Sequence, residues 1–114
     1  MNDGVRPFAR IEISLEKLRD YCLSQAHPRG RHKARVFLTR LGLTAENARW
    51  LEGLLETAAR EREDELIPGV RDRYGERFRL DLEISTCEGT AIVRSLWFHP
   101  VGEDVLRFIS CYVL

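Results

Sequence analysis

Residues 78–98 read FRLDLEISTCEGTAIVRSLWF, and their period is two. Phe78, Leu80, Leu82 and Ile84 fall on one side of an extended chain, with Arg79, Asp81, Glu83 and Ser85 on the other. That alternation marks a strand with one buried face. Residues 87–90 (CEGT) place a glycine where a tight hairpin needs one, and a second strand follows over residues 90–98. Here Ala91, Val93, Ser95 and Trp97 share one face, and Ile92, Arg94, Leu96 and Phe98 share the other. After HPVGED (99–104), VLRFISCYV (105–113) reads as a third strand. In it Arg107, Ile109, Cys111 and Val113 alternate with Leu106, Phe108, Ser110 and Tyr112. The short connections favour antiparallel pairing of all three.

Upstream the period becomes helical. Residues 10–13 (RIEI) alternate like a short strand or an extended lead-in. Ser14 is a good N-cap for a helix striped by Leu15, Leu18 and Cys22, with Tyr21 beside the stripe. Pro28 ends that helix. A second begins near Arg31 with Ala34, Phe37, Leu38 and Leu41 as its apolar face, and Gly42 stops it. Thr44 caps a third, over residues 45–62, which turns Ala48, Leu51, Leu54, Leu55, Ala58 and Ala59 inward with Trp50 at the border. Pro68 and Gly69 then suggest a break. The expected fold is α+β: N-terminal helices (about 14–64) packed on a C-terminal antiparallel sheet of three to four strands (about 76–114), in one domain over residues 1–114.

A chain of 114 residues that is 44% hydrophobic and 32% charged has the balance of a globular domain, not of a disordered segment. Its apolar runs are too short for a bilayer, and MNDGVRPF lacks the apolar core of a signal peptide. These features lead us to expect a cytoplasmic protein with no membrane partner. Cys22, Cys87 and Cys111 are widely spaced and form no CxxC pair, which argues against a disulfide framework and a structural zinc site. Cys111, in an apolar strand, is expected as a buried thiol. No cofactor or metal is expected, and the chain has no GxSxG, P-loop, HExxH or dinucleotide fingerprint.

The formal net charge is +0, yet the charge is segregated. Residues 29–40 carry five Arg or Lys and no acid, whereas residues 61–65 (EREDE) carry four acids and one base. The basic run belongs to HPRGRHKARVF (27–37). Cations at a helix N-terminus oppose the helix dipole, at a cost of roughly 0.3–1 kcal/mol each, and an anionic ligand would remove that objection. His27, Arg29, Arg31 and Arg35 are therefore candidate substrate-binding residues. A histidine can also take and return a proton at neutral pH. Metal-free RNA cleavage needs a base for the 2′-hydroxyl, an acid for the leaving oxygen and cations around the phosphorane. His27, His32 and Lys33 could supply those parts together with an arginine from elsewhere, for which Arg94 is the best candidate; His32, Lys33 and Arg94 are the candidate catalytic residues carried forward. Arg94 is a charge in an apolar row between Ile92 and Leu96, and Ser110 and Tyr112 are candidates for lining the substrate, with Tyr112 able to stack on a base. Asp81 and Glu83, at i and i+2 with no histidine alongside, read as a solvent face.

HPRGRHKA followed by LGLT, then Tyr74–Gly75, AIVRSLW (91–97) and Ser110 to Tyr112 resemble a small bacterial domain family to which no function is assigned. Its members carry HPxGxHKAxxF and AxVRSxW segments and occur near polymorphic-toxin and toxin–antitoxin genes. Their helices-then-meander layout is similar to the barnase–EndoU–colicin–RelE group of metal-independent ribonucleases. The resemblance implies His32 and Lys33 as first-choice catalytic residues and Arg94 as the phosphate-binding residue. Ser110 and Tyr112 would line the site, and His27 would shape the turn with Pro28. It implies a toxin-like ribonuclease acting on RNA such as tRNA or mRNA by general acid–base transesterification, and an acidic antitoxin or immunity protein as partner. A homodimer is compatible with the reading. The competing expectation is a non-catalytic binding module for a protein or nucleic acid, for example an immunity or antitoxin-like protein, so whether the chain is an enzyme stays open at this point.

Overall fold

A computed structural model describes residues 8–114. A short strand, β1 (Arg10–Glu12), leads into α1, whose first turn (Leu15–Lys17) is capped by the Ser14 hydroxyl accepting from the Lys17 amide at 3.1 Å. The helix then widens into a π-type turn over Leu18–Cys22. α2 (Arg31–Leu41) stops at Gly42, whose φ of 68° is the left-handed conformation that glycine adopts without strain. A single 3₁₀ turn (Ala45–Asn47), closed by a reciprocal Thr44/Asn47 capping box, starts α3 (Ala48–Glu61). A further 3₁₀ turn (Glu63–Glu65) leads to β2 (Ile67–Asp72). The chain finishes with β3 (Gly75–Thr86), β4 (Gly89–Pro100) and β5 (Val105–Val113). Among the described residues no helix is long and apolar enough to cross a membrane.

The α+β expectation holds, and the sheet is larger than expected. Among the described residues it has five strands in the order β1-β5-β4-β3-β2, with β1 parallel to β5 and the other pairs antiparallel. Two strands correct the reading of three to four antiparallel strands at the C-terminal end. RIEI pairs with the first half of β5, bringing Glu12 opposite Arg107. The Pro68–Gly69 segment, read as a break, lies inside β2. Proline lacks an amide donor, and β2 accommodates it as the sheet's outer, exposed strand, with a register shift against β3 between Pro68 and Arg71.

A second correction concerns β5. Its register against β4 slips at Ile109: Trp97 lies opposite Phe108, Leu96 opposite Ser110, and Ser95 opposite Cys111. The extra residue makes a bulge, so Phe108 and Cys111 share a face although strict alternation puts them on opposite ones. Past it, Tyr112 falls opposite Arg94.

One face of the sheet meets the helices. Leu80, Leu82, Ile84, Ala91, Val93, Trp97, Phe108 and Cys111 pack there against Leu18, Phe37, Leu41, Leu51 and Leu55 in a single core. Trp97 is fully buried; its indole N–H donates to the Ser95 hydroxyl at 2.8 Å, and that hydroxyl donates to the Leu80 carbonyl at 2.6 Å. Leu38, expected on the inward face of α2, is exposed. The other sheet face carries Arg77, Arg79, Asp81 and Glu83 from β3, and Ile92, Arg94, Leu96 and Phe98 from β4.

Candidate functional site

The turn before α2 is built around His27. Its Nδ1 accepts from the amides of Arg29 at 3.0 Å and Gly30 at 3.1 Å, while its carbonyl accepts from the Arg31 amide at 2.9 Å. The ring meets Tyr21 edge to face, with centroids 4.6 Å apart. By accepting two amides, Nδ1 acts as the helix cap that Gly30, lacking a side chain, does not supply. Gly30 is itself required: a Cβ there would come 2.5 Å from the Tyr21 carbonyl oxygen. A candidate substrate-binding residue from sequence, His27 is thus committed to local structure.

α2 begins with no acidic residue in its first turn. Arg29, Arg31, His32, Lys33 and Arg35 are all exposed, and among the described residues none of the four cations lies in ion-pair range of a carboxylate. Lys33 reaches back to the sheet, where its Nζ lies 4.6 Å from the centroid of the Tyr112 ring. This is a cation–π contact at the part of β5 beyond its pairing with β1.

Across β5 from the ring lies Arg94, in register with Tyr112 on one side and Asp81 on the other. Its Nε and Nη2 donate to the two Asp81 carboxylate oxygens at 2.9 and 3.0 Å. The guanidinium also meets the Tyr112 phenol. The hydrogen bonds from Arg94 hold the Asp81 carboxyl below the usual carboxylate range, against the opposing effect of partial burial. Arg62, from the end of α3, donates to the Asp81 carbonyl at 3.1 Å.

The structure therefore brings together three residues singled out from sequence, Lys33, Tyr112 and Arg94, and adds Asp81, which sequence reading placed on a plain solvent face. Hairpin register carries the signal that finds it. A two-residue turn at Cys87–Glu88 sets Thr86 opposite Gly89, and counting back from there puts Asp81 opposite Arg94. His32 stands exposed beside Lys33, with no hydrogen-bond partner among the described residues. Ser110 lies elsewhere: its hydroxyl is 3.8 Å from the Cys22 sulfur and borders a cavity of about 590 Å³ with Ser14, Lys17, Asp20 and Tyr21.

Chemically, the open face offers two cations converging on an aromatic ring, one of them shared with a carboxylate, and one exposed imidazole nearby in sequence. Such a set can hold an oxyanion and exchange a proton. Among the described residues no group of three or more His, Cys, Asp or Glu side chains is placed to hold a metal ion.

The model of one family, described as a domain of unknown function (DUF6883), matches residues 6–114. No curated protein and no solved structure matches the chain. The match covers nearly the whole chain, and the protein belongs to that family.

Proposed function

We propose that this member of the DUF6883 family binds an RNA phosphodiester where α2 meets the open sheet face, and cleaves it as a toxin-like, metal-independent ribonuclease. The observation that carries the reading is the convergence of Lys33 and Arg94 on Tyr112, from a helix and a strand more than half the chain apart. In the proposed mechanism Lys33 and Arg94 hold the non-bridging phosphate oxygens and stabilise the charge that grows in the phosphorane. Tyr112 offers a ring edge and a hydroxyl to the adjoining nucleotide. His32 takes the 2′-hydroxyl proton, and the same imidazolium returns a proton to the leaving 5′-oxygen. Asp81 keeps the Arg94 guanidinium fixed across the strands until phosphate competes for it.

The exposed cations of α2 also support an acidic partner, an antitoxin or immunity protein, docking over Arg29, Arg31 and Arg35. Complementary charge would speed its capture and cover Lys33.

A second reading, a non-catalytic binding module, is favoured by two observations. His27 is occupied with the turn, which leaves one histidine instead of two, and Asp81 takes two of the Arg94 donors. The test is incubation of purified wild type, His32→Ala and Arg94→Ala with total tRNA in EDTA, with circular dichroism to verify folding. Cleavage by wild type alone, leaving 2′,3′-cyclic phosphate ends, supports the nuclease. RNA binding without cleavage, weakened in Arg94→Ala and unchanged in His32→Ala, supports the module.

A further inference from the structure

Two of the three cysteines, separated by most of the chain, meet beside Ser110. Cys22 ends the π-type turn of α1 and Cys111 lies in β5; both are buried, and both thiols are free. Each contacts the other, and the Ser110 hydroxyl lies 3.8 Å from the Cys22 sulfur. The groups around the two sulfurs are unequal. Cys22 faces the Cys111 thiol, the Cys111 backbone and the Ser110 hydroxyl, with the Lys17 ammonium nearby. These pull its pKa down to about 6 against the opposing effect of burial. Cys111, donor in that contact and walled in by the core, is pushed up. A sulfur with several donors around it and a neighbouring thiol that keeps its proton are the two halves of a dithiol redox site. Simple core packing does not require these donors, and Ser110, whose hydroxyl lies against the Cys22 sulfur, also borders the cavity lined by Lys17 and Tyr21.

We propose that Cys22 and Cys111 form a peroxide-reactive thiol pair that closes to a disulfide between α1 and β5. The Cys22 thiolate attacks one oxygen of a hydroperoxide such as hydrogen peroxide. The O–O bond breaks, Cys22 becomes a sulfenic acid, and the departing hydroxide takes a proton from solvent to leave as water. The Cys111 sulfur then attacks the sulfenic sulfur, the S–O bond breaks, and the Cys111 proton and the hydroxyl leave as a second water. Peroxide is reduced and the two thiols are oxidised. Ser110 and Tyr112 flank Cys111 on β5, so the new bond would tie α1 to the strand that carries the Tyr112 ring. This inference does not depend on RNA chemistry.

The experiment treats the full chain in a Cys87→Ser background with hydrogen peroxide, since Cys87 is exposed on the β3–β4 turn and would react on its own account. Free thiols are counted after denaturation, and the intact mass is followed by peptide mapping. The expected result is loss of both thiols, a mass decrease of about 2 Da and a Cys22–Cys111 cross-linked peptide, reversed by dithiothreitol. Adding Cys111→Ser should instead trap a dimedone-reactive sulfenic acid at Cys22, and adding Cys22→Ser should leave Cys111 reduced. Two free thiols remaining under conditions that oxidise Cys87 in the wild type would overturn the proposal. So would oxidation of Cys22 with no cross-link to Cys111 in a chain that keeps its native circular dichroism.

Discussion

The two faces of β4 have opposite surroundings, one closed by helices and one open. On one face Val93, Ser95 and Trp97 are fully buried under the helices, and Ser95 exists there to serve the Trp97 indole and the Leu80 carbonyl. One residue over, Ile92, Arg94 and Leu96 face outward, and Arg94 is tied to Asp81 and Tyr112. The strand thus builds core and candidate site from alternate positions. Changes on the covered face should be read as stability, and changes on the open face as binding or turnover.

The largest expected breach of that division is Trp97→Ala. It removes a fully buried indole packed edge to face on Phe108 with centroids 5.5 Å apart. We expect a loss of about 3–5 kcal/mol in urea or guanidinium unfolding. A loss below about 1 kcal/mol would mean that Trp97 is not central to the core. Next comes Ser95→Ala, which strands a buried indole N–H for an expected loss of about 1–3 kcal/mol. Neither change should alter RNA affinity under conditions where the variant remains folded.

His27→Ala sharpens the comparison outside the sheet. Loss of an acceptor for the Arg29 and Gly30 amides should lower stability by about 1 kcal/mol, the range of a lost helix cap. RNA affinity should stay within about 2-fold of wild type, since the other α2 cations remain. A loss of cleavage in a folded His27→Ala protein would return this histidine to the catalytic set.

The smallest stability effect is expected from Asp81→Asn. Both partners of the ion pair are partly exposed, so the loss at neutral pH should be no more than about 1 kcal/mol. The sign with pH is fixed. Asp81 is more acidic folded than unfolded, so its contribution is fully present above the unfolded value near 3.9 and fades as pH falls through the lower folded value. Wild type should therefore lose stability more steeply than Asp81→Asn as pH falls below about 4, measured as urea midpoints. The variant also frees Arg94, so its RNA affinity should rise by a few-fold, on the order of one phosphate contact's worth of charge. An unchanged affinity would remove Arg94 from the RNA contact.

Much of the fold was legible because the alternation in residues 78–98 is strict and the Cys87–Glu88 turn is short. The face assignments of β4 follow directly, as do the stops at Gly42 and before Pro28. Three features were hidden for physical reasons. An edge strand tolerates Pro68 and Gly69 where a central one would not, so β2 looked like a break. The bulge at Ile109 reverses the face parity of a strand whose sequence alternates smoothly, so Phe108 and Cys111 share the covered face although alternation separates them. The parallel pairing of β1 depends on how the chain returns after six intervening elements, and three residues carry no mark of it. In the candidate site the identities of Lys33, Arg94 and Tyr112 were readable as charge and ring in unusual places. Their meeting was not, because it depends on α2 crossing the end of β5. The role of His27 was half visible in its neighbour Pro28 and became definite only with the amide contacts.

The central claim is that Lys33, Arg94 and Tyr112 together form the RNA surface. Titration of isotopically labelled protein with a short single-stranded RNA, followed by amide and aromatic NMR shifts, tests it most directly. Saturable shifts are expected to concentrate at His32, Lys33, Arg94 and Tyr112, with weak ones at Trp97 and Ser95 on the opposite face. Absence of shifts, or shifts confined to residues remote from α2 and the open face of β4 and β5, would contradict that claim.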